Sequence, residues 1–447
     1  MLHGSSQRVS AAVDAEDRKA IAASMFSLSS LMTLEVIAMG HKAGLALSPM
    51  LEAINGSSGR SHFTEHRLAG FVNQPAAYEA PRLAELLDGV RHAIQLSKRQ
   101  GSPLPLASVA SAILAVGVSS FGKDGSLGEL LELTASMAGI GKDAYGRSSQ
   151  PVLPEINGSA QKPKIGYIGL GAMGSALARR ARAAADQLFV FDVVQERMEE
   201  QVRGGATAAI DMASLARESD VIMLCVPTSA HVKQILLGEG GMLKGLSPGK
   251  VVIDQTTGSP SDARELCQTL HQMGVGFVDA PVAGGPGSAD NGTLLALCGG
   301  SADDYSRVYG LLQTMGRSIY FGQTGSGQTA KLVKNATGAC NRFICYESIA
   351  LAQRMGIDLQ TLLEQTKGSD AWTAAIQRIA DAQRTGTPTA VITSELFYKD
   401  LRLVSELAVS VGAPMFIANA VRNRVEALIK EIGPESNIDE LGRAYGL

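Results

Sequence analysis

The stretch Lys164-Ile165-Gly166-Tyr167-Ile168-Gly169-Leu170-Gly171-Ala172-Met173-Gly174 decides the fold. A short apolar run ends in a GxGxxG turn and continues into a helical pattern, which is the order strand, phosphate-binding loop, helix. Glycines at these spacings let the backbone turn tightly and bring unpaired N–H groups, with the positive end of a helix dipole, against an anion such as a pyrophosphate. Asp192 closes the next β-rich run, at the distance where a carboxylate meets a ribose 2′-hydroxyl, and its charge disfavours a 2′-phosphate. The unit predicts a dinucleotide site in which Gly169, Leu170, Gly171, Ala172, Met173, Gly174 and Asp192 surround NAD, with NADP the less favoured cofactor.

Outward from that loop, β-rich runs at 164–168, 188–192, 221–226, 251–254 and 275–279 alternate with amphipathic segments. Such alternation predicts a parallel sheet with crossover helices. From Gly325 onward the pattern is helical, and so is the stretch before a Pro-, Gly-, Ser- and Asn-rich linker. The predicted fold class is an α/β Rossmann-type nucleotide-binding domain over 164–324, with an all-α domain at 325–447. A further all-α domain occupies 1–149, and the linker occupies 150–163.

The two helical regions repeat each other. At a constant offset of 312 residues Glu35 meets Glu347, Ile37-Ala38 meets Ile349-Ala350, Gly44 meets Gly356 and Gly56-Ser57 meets Gly368-Ser369. After one residue of slippage Gly101 meets Gly412. A register held over such a length marks an internal repeat.

Composition narrows the function class. With 447 residues, 45% of them apolar, two or three domains are expected, and a net charge of −3 with 19% charged residues argues against nucleic-acid binding. The five cysteines show no CxxC spacing, which fits a reducing cytoplasm and a site without a structural metal. No secretory signal is legible at the N-terminus, and the apolar run 104–121 reads as a buried helix rather than a membrane span. His62-Phe63-Thr64-Glu65-His66 matches HxxEH but has no identifiable third ligand, so no metal is assigned.

Two further constellations carry chemistry. In GSGQTAKLVKN (325–335), Lys331 and Asn335 are four residues apart, so an ammonium and an amide can converge on one substrate oxygen. A lysine screened from water can donate a proton to a forming alkoxide. In Asp279-Ala280-Pro281-Val282-Ala283-Gly284-Gly285, just past a predicted strand, glycine amides can cradle a carboxylate.

The glycine loop, Val226-Pro227, VIDQTTGSP with Thr257, DAPVAGG, GSGQTAKLVKN and Lys399-Asp400-Leu401 resemble, in order and spacing, the motifs of the β-hydroxyacid dehydrogenases. The resemblance runs from Lys164 to the C-terminus. It implies an oxidoreductase that interconverts a small β-hydroxy acid and its 3-oxo acid with NAD. Lys331 becomes the proton donor and acceptor, and Asn335 helps bind substrate. Val226, Pro227, Thr257 and Lys399 lie along the cofactor, while Ala283, Gly284 and Gly285 hold the substrate carboxylate. Two residues depart from the family pattern, Ala283 where a serine is usual and Lys334 where an asparagine is usual.

The N-terminal copy resembles the family's helical domain without its nucleotide-binding partner. Lys19 falls on Lys331, but Ala23 replaces Asn335 and Asp88-Gly89 replaces Lys399-Asp400, so this copy reads as catalytically silent. The helix 415–430 keeps Arg422, Arg424, Glu426 and Lys430, whereas its counterpart 104–119 has Ser111, Ile113, Ala115 and Ser119. Loss of a solvated face predicts that this helix is covered, with the two helical domains paired within the chain or in a homodimer. A cofactor-binding scaffold and a segment of a larger fusion protein are the alternative readings.

Overall fold

A computed structural model describes residues 14–68, 81–141, 145, 151–152, 156 and 162–447. Most of the 150–163 linker and the first 13 residues lie outside the described residues. The sheet contains β1 (Ile165–Ile168), β2 (Leu188–Phe191), β3 (Thr207–Ala208), β4 (Val221–Leu224), β5 (Val251–Asp254), β6 (Gly276–Asp279), β7 (Val282–Ala283), β8 (Leu294–Gly300) and β9 (Gly316–Tyr320). The first six are parallel in the order 3-2-1-4-5-6, β8 then pairs antiparallel with β6, and β7 and β9 pair with β8.

Each predicted strand forms within a residue or two of its expected ends, because both faces of these strands are buried. Val221 and Met223 join Ile165 and Tyr167 in one core, while Ile222 and Leu224 join Ile168 and Phe189 in the other. Doubly covered parallel strands read as unbroken apolar runs. Strands β3, β7, β8 and β9 were not legible in that way. Leu294–Gly300 pairs with three neighbours yet ends in Gly-Gly and follows the Asn291-Gly292 turn, so its β-character comes from pairing and not from composition. The strand order turns at β1, which lies between β2 and β4. A crevice therefore opens at the carboxyl ends of β1 and β4, where such sheets bind ligands.

The helical regions are organised by two long helices, Ala15–Lys42 and Ser326–Arg354. Where they meet, Ser29 Oγ donates to Asn341 Oδ1 at 2.9 Å, and these two residues are repeat mates, 312 apart. A second pair of mates, Ser61 and Thr373, forms an antiparallel bridge. Contacts away from these self-paired positions recur with the copies exchanged. Leu106 N donates to both Glu347 oxygens at 3.2 Å, and Ile417 N donates to Glu35 Oε2 at 3.1 Å. Lys42 Nζ donates to Gly412 O at 3.0 Å, and Arg354 Nη1 donates to Gln100 O at 3.5 Å. This is the reciprocity of an isologous interface, realised inside one chain.

The two glutamates do the work of helix caps. Helices Pro105–Phe121 and Phe416–Ile432 have no capping side chain of their own, and their first N–H groups lack intrahelical partners. Each copy supplies the acceptor for the other, and an anionic or dipolar oxygen there also suits the helix dipole. Apolar packing continues across the same surface, with Met25, Leu28 and Leu31 in one core with Phe343, Ile344 and Ile349.

The predicted pairing of the copies thus forms, but not mainly by covering the face from which it was inferred. On Pro105–Phe121 Ile113 is buried, Ser111 and Ala115 are half-buried, and Ser119 is exposed. The long helices carry the main contact, Pro105–Phe121 also packs on its counterpart Phe416–Ile432, and of that face only Ser119 is exposed. Ala15–Lys42 is also long and apolar enough to cross a bilayer, yet 89% of its most apolar window is buried within the protein.

Burial pushes the Glu35 and Glu347 carboxyls up to about 8, each against the pull of the amides it accepts from. A carboxyl with a raised folded-state pKa stabilises the fold fully below its unfolded value and loses that contribution as pH rises through the folded value. Thermal unfolding should therefore show stability falling between about pH 4.5 and about pH 8. In a Glu35→Gln, Glu347→Gln double variant, which keeps an acceptor oxygen at both helix ends, that slope should flatten.

Candidate active site

The glycine loop is built by three different constraints. At Gly169, with φ +92°, an added Cβ would lie 2.3 Å from Cys225 O, and at Gly174 it would lie 1.9 Å from Gly169 O. At Gly171 it would meet nothing within 4 Å. The first and third glycines thus close the turn and seat the helix Ala172–Ala184, while the second leaves open space at a helix N-terminus without a side-chain cap. That space fits a pyrophosphate, so the loop is suited to the predicted dinucleotide.

Asp192 lies one residue past β2 and is buried. Its Oδ2 accepts from Leu170 N at 2.6 Å and its Oδ1 from Val194 N at 2.8 Å, so the carboxylate also fixes the glycine loop. Arg197, a neighbour that the sequence reading passed over, comes within 3.5 Å of Asp192 Oδ1.

Beyond the loop, at the carboxyl edge of the sheet, Met173, Val226, Pro227, Thr257, Ala283, Gly284, Gly285, Lys331, Asn335 and Lys399 line one cavity of about 640 Å³. The predicted catalytic, nicotinamide and carboxylate positions therefore share a single space. Gly169, Leu170, Gly171, Ala172, Gly174 and Asp192 are not in its wall and form the separate loop at the end of β1 and β2.

Asp279 determines where the long helix Ser326–Arg354 enters this space. Its Oδ1 accepts from Gly325 N at 2.7 Å and its Oδ2 from Gln328 N at 2.8 Å, so the last residue of β6 caps the helix. Burial raises the Asp279 carboxyl to about 8 in spite of those donors. Gln328 extends the connection, accepting from Gly258 N at 2.8 Å and donating to Thr256 O at 2.7 Å.

One turn further on, Lys331 Nζ donates to Val282 O at 2.7 Å. Burial is the main cause that brings its ammonium down to about 8, with Asp400 opposing and Lys399 assisting. Asn335 Nδ2 donates to Asp400 Oδ2 at 2.7 Å. Lys399, from the helix Ser394–Val411, donates to Pro227 O at 3.2 Å and Thr257 O at 2.7 Å while pairing with Asp400 at 3.1 Å. It ties the helical region to the loops after β4 and β5. Cys225 also lines the cavity, but burial pushes its thiol up to about 12 and leaves it without thiolate character.

Gly284, at φ +124°, has no room for a Cβ, which would lie 2.6 Å from Leu294 Cδ2. Ala283 provides no hydroxyl, yet Ser288 and Thr293 line the same cavity. The N-terminal copy is closed at the corresponding point. There Ala23 and Gly89, which occupy the positions of Asn335 and Asp400, pack so closely that a Cβ on Gly89 would lie 2.7 Å from Ala23 Cβ. Lys19 is exposed. The His62 and His66 rings lie 4.6 Å apart at a tilt of 52°, His62 just before and His66 within the π-helical turn Phe63–Arg67, and His62 Nδ1 contacts Asp370 at 2.9 Å. Among the described residues no group of three or more metal-ligating side chains forms.

Comparison with known proteins accounts for nearly the whole chain. Residues 164–325 match the NAD binding domain of 6-phosphogluconate dehydrogenase. The NAD-binding domain of NADP-dependent 3-hydroxyisobutyrate dehydrogenase matches twice, at 14–134 and at 325–445. The chain belongs to the β-hydroxyacid dehydrogenase family. It is 32% identical over 273 residues to a probable mitochondrial 3-hydroxyisobutyrate dehydrogenase of Dictyostelium discoideum, covering 59% of this chain and 85% of that one. It is 30% identical over 254 residues to the 2-(hydroxymethyl)glutarate dehydrogenase of Eubacterium barkeri, covering 56% and 84%. A Mycobacterium tuberculosis 3-hydroxyisobutyrate dehydrogenase solved with L-serine shares the fold at a TM-score of 0.59 and 23% identity, over 64% of this chain and 99% of that one.

The glycine geometry separates two effects of substitution. Gly171→Val should weaken NADH binding about tenfold or more, with the melting temperature nearly unchanged, because its side chain enters open space. Gly174→Ala should instead cost about 1–3 kcal/mol of stability through overpacking, measured by denaturant unfolding.

Proposed function

We propose that the chain is an NAD-dependent dehydrogenase that interconverts a small β-hydroxy acid and its 3-oxo acid. The observation that carries this reading is Lys331, a buried amine with its pKa brought down to about 8, in one cavity with Asn335, the Gly284-Gly285 turn and the Val226-Pro227 edge. Nicotinamide supplies the carbon that gives or takes the hydride. In reduction the Lys331 ammonium gives its proton to the carbonyl oxygen as the hydride reaches the carbonyl carbon. In oxidation the neutral amine takes the hydroxyl proton. A base or acid with a pKa near the working pH serves both directions.

Gly284 and Gly285 amides receive the substrate carboxylate, and Ser288 or Thr293 provides a hydroxyl that Ala283 cannot. Asn335, held by Asp400, orients the reacting oxygen. Lys399 fixes Pro227 and Thr257 beside the nicotinamide. Asp192 favours NAD over NADP by its charge. The relatives named for 3-hydroxyisobutyrate and 2-(hydroxymethyl)glutarate support the substrate class, since both compounds carry a hydroxymethyl group next to the carbon that bears the carboxylate. The N-terminal copy, silent in catalysis, serves as the built-in partner of the C-terminal helices. The five free cysteines support a reducing compartment such as the cytoplasm.

A panel of semialdehydes and 3-oxo acids, assayed with NADH and NADPH, tests the reading. Reduction should fall as pH rises through about 8 and oxidation should rise over the same range, following Lys331. Lys331→Ala should lower turnover by about a hundredfold or more while NADH still binds. NADH binding without turnover of any panel member by the unaltered chain would make it a cofactor-binding scaffold.

A further inference from the structure

The cavity holds more positive charge than a single carboxylate can balance. Of its lining side chains Lys331, Lys334, Arg342, Arg378 and Lys399 are cationic, and Asp400 is the one carboxylate among the described residues. Arg342 is neutralised from outside the cavity wall by Asp439 at 2.7 Å. Asp400 is committed to Lys399 at 3.1 Å and to the Asn335 amide at 2.7 Å. Lys331, Lys334 and Arg378 are left with no carboxylate at ion-pairing distance among the described residues.

Lys334 is the most costly of the three. It is 9% exposed, and its Nζ donates to a neutral acceptor, Asn335 Oδ1 at 3.2 Å. Burial holds its pKa well down, Lys331 and Arg378 add to that effect, and Asp400 opposes it only in part. A buried ammonium without a counter-ion is strongly unfavourable, and an anion supplied by a ligand relieves it. Arg378 has Arg342 and Arg60 as its charged neighbours, and both of these are paired elsewhere, with Asp439 at 2.7 Å and Glu65 at 3.6 Å, so Arg378 itself has no carboxylate beside it among the described residues. Ser58, from the N-terminal copy, closes the same wall. Its Oγ sits over Gly338, one helical turn past Lys334, where an added Cβ would lie 2.7 Å away.

We infer that the cavity takes a dianionic substrate, with one carboxylate at the Gly284-Gly285 turn and a second anionic group between Lys334 and Arg378 beside Ser58 of the N-terminal copy. The inference rests on the proposed dehydrogenase reading for the location of the first carboxylate. It adds the substrate's second charge, a carboxylate or a phosphate-like group, and it gives the silent copy a part in binding.

Calorimetric titration of the full chain with NAD present tests this without turnover, so its outcome stands apart from that of the activity screen. The probes are butyrate, with one carboxylate, glutarate, with two, and 3-phosphonopropionate, with a phosphonate as the second group. Glutarate or 3-phosphonopropionate should bind at least about tenfold more tightly than butyrate, and the tighter of the two identifies the second group. That preference should shrink about tenfold in Lys334→Gln and in Arg378→Gln. Arg378 is on the exposed side of the cavity, so its variant retains the fold if the buried one does not. Equal binding of butyrate and the two dianions, no binding of any, or an unchanged preference in Arg378→Gln overturns the inference.

Discussion

The carboxyl group of Asp279 fixes the long helix of the C-terminal region on the sheet. It stands at the end of β6 and accepts from the first turn of the helix Ser326–Arg354 through Gly325 N and Gln328 N. Those amides have no partner within the helix, and a buried carboxyl has no favourable state without donors, so each requirement is met by the other. Because a helix is rigid at this scale, anchoring its first turn also sets the height and rotation of Lys331 and Asn335 above the sheet. Gln328 then spreads the same constraint to the Thr256 and Gly258 loop.

The long helix consequently has two functions along its length. Its first turns present Lys331, Lys334 and Asn335 to the cavity, and its later turns present Asn341, Phe343 and Glu347 to the N-terminal copy. No break in the helix separates the two. Packing at the copy interface therefore bears on the same rod that carries the proposed acid, and Ser58 reaches the cavity wall because the copies are seated so closely.

Much of this was legible in the sequence. The glycine loop, the five main strands, the repeat and the Lys331–Asn335 pair each leave a local or periodic trace, and Asp192 is marked by its distance from the loop. What was not legible depends on residues brought together by the tertiary fold. Nothing near Asp279 in the sequence announces that it caps a helix 46 residues later. Glu35 and Glu347 stood out as a matched pair, but their capping role needs the N-termini of helices from the other copy. Arg378 and Ser58 belong to the cavity only through packing, and the small residues of Pro105–Phe121 were misleading, since a face without charges proved to be partly open. Strands β8 and β9 were missed because mutual pairing, and not local pattern, makes them strands.

The hydrogen bond from Ser29 to Asn341 has a consequence for how such a protein can change. In an assembly of two identical chains a residue on the symmetry axis always faces itself, so a serine there meets a serine and an asparagine meets an asparagine. Any replacement arrives twice, and it must suit its own mirror position. Joining the two halves in one polypeptide removes that coupling. Donor and acceptor can then be divided between the halves, as at 29 and 341. One half was likewise free to fill its cleft with Ala23 and Gly89 while the other kept an open one.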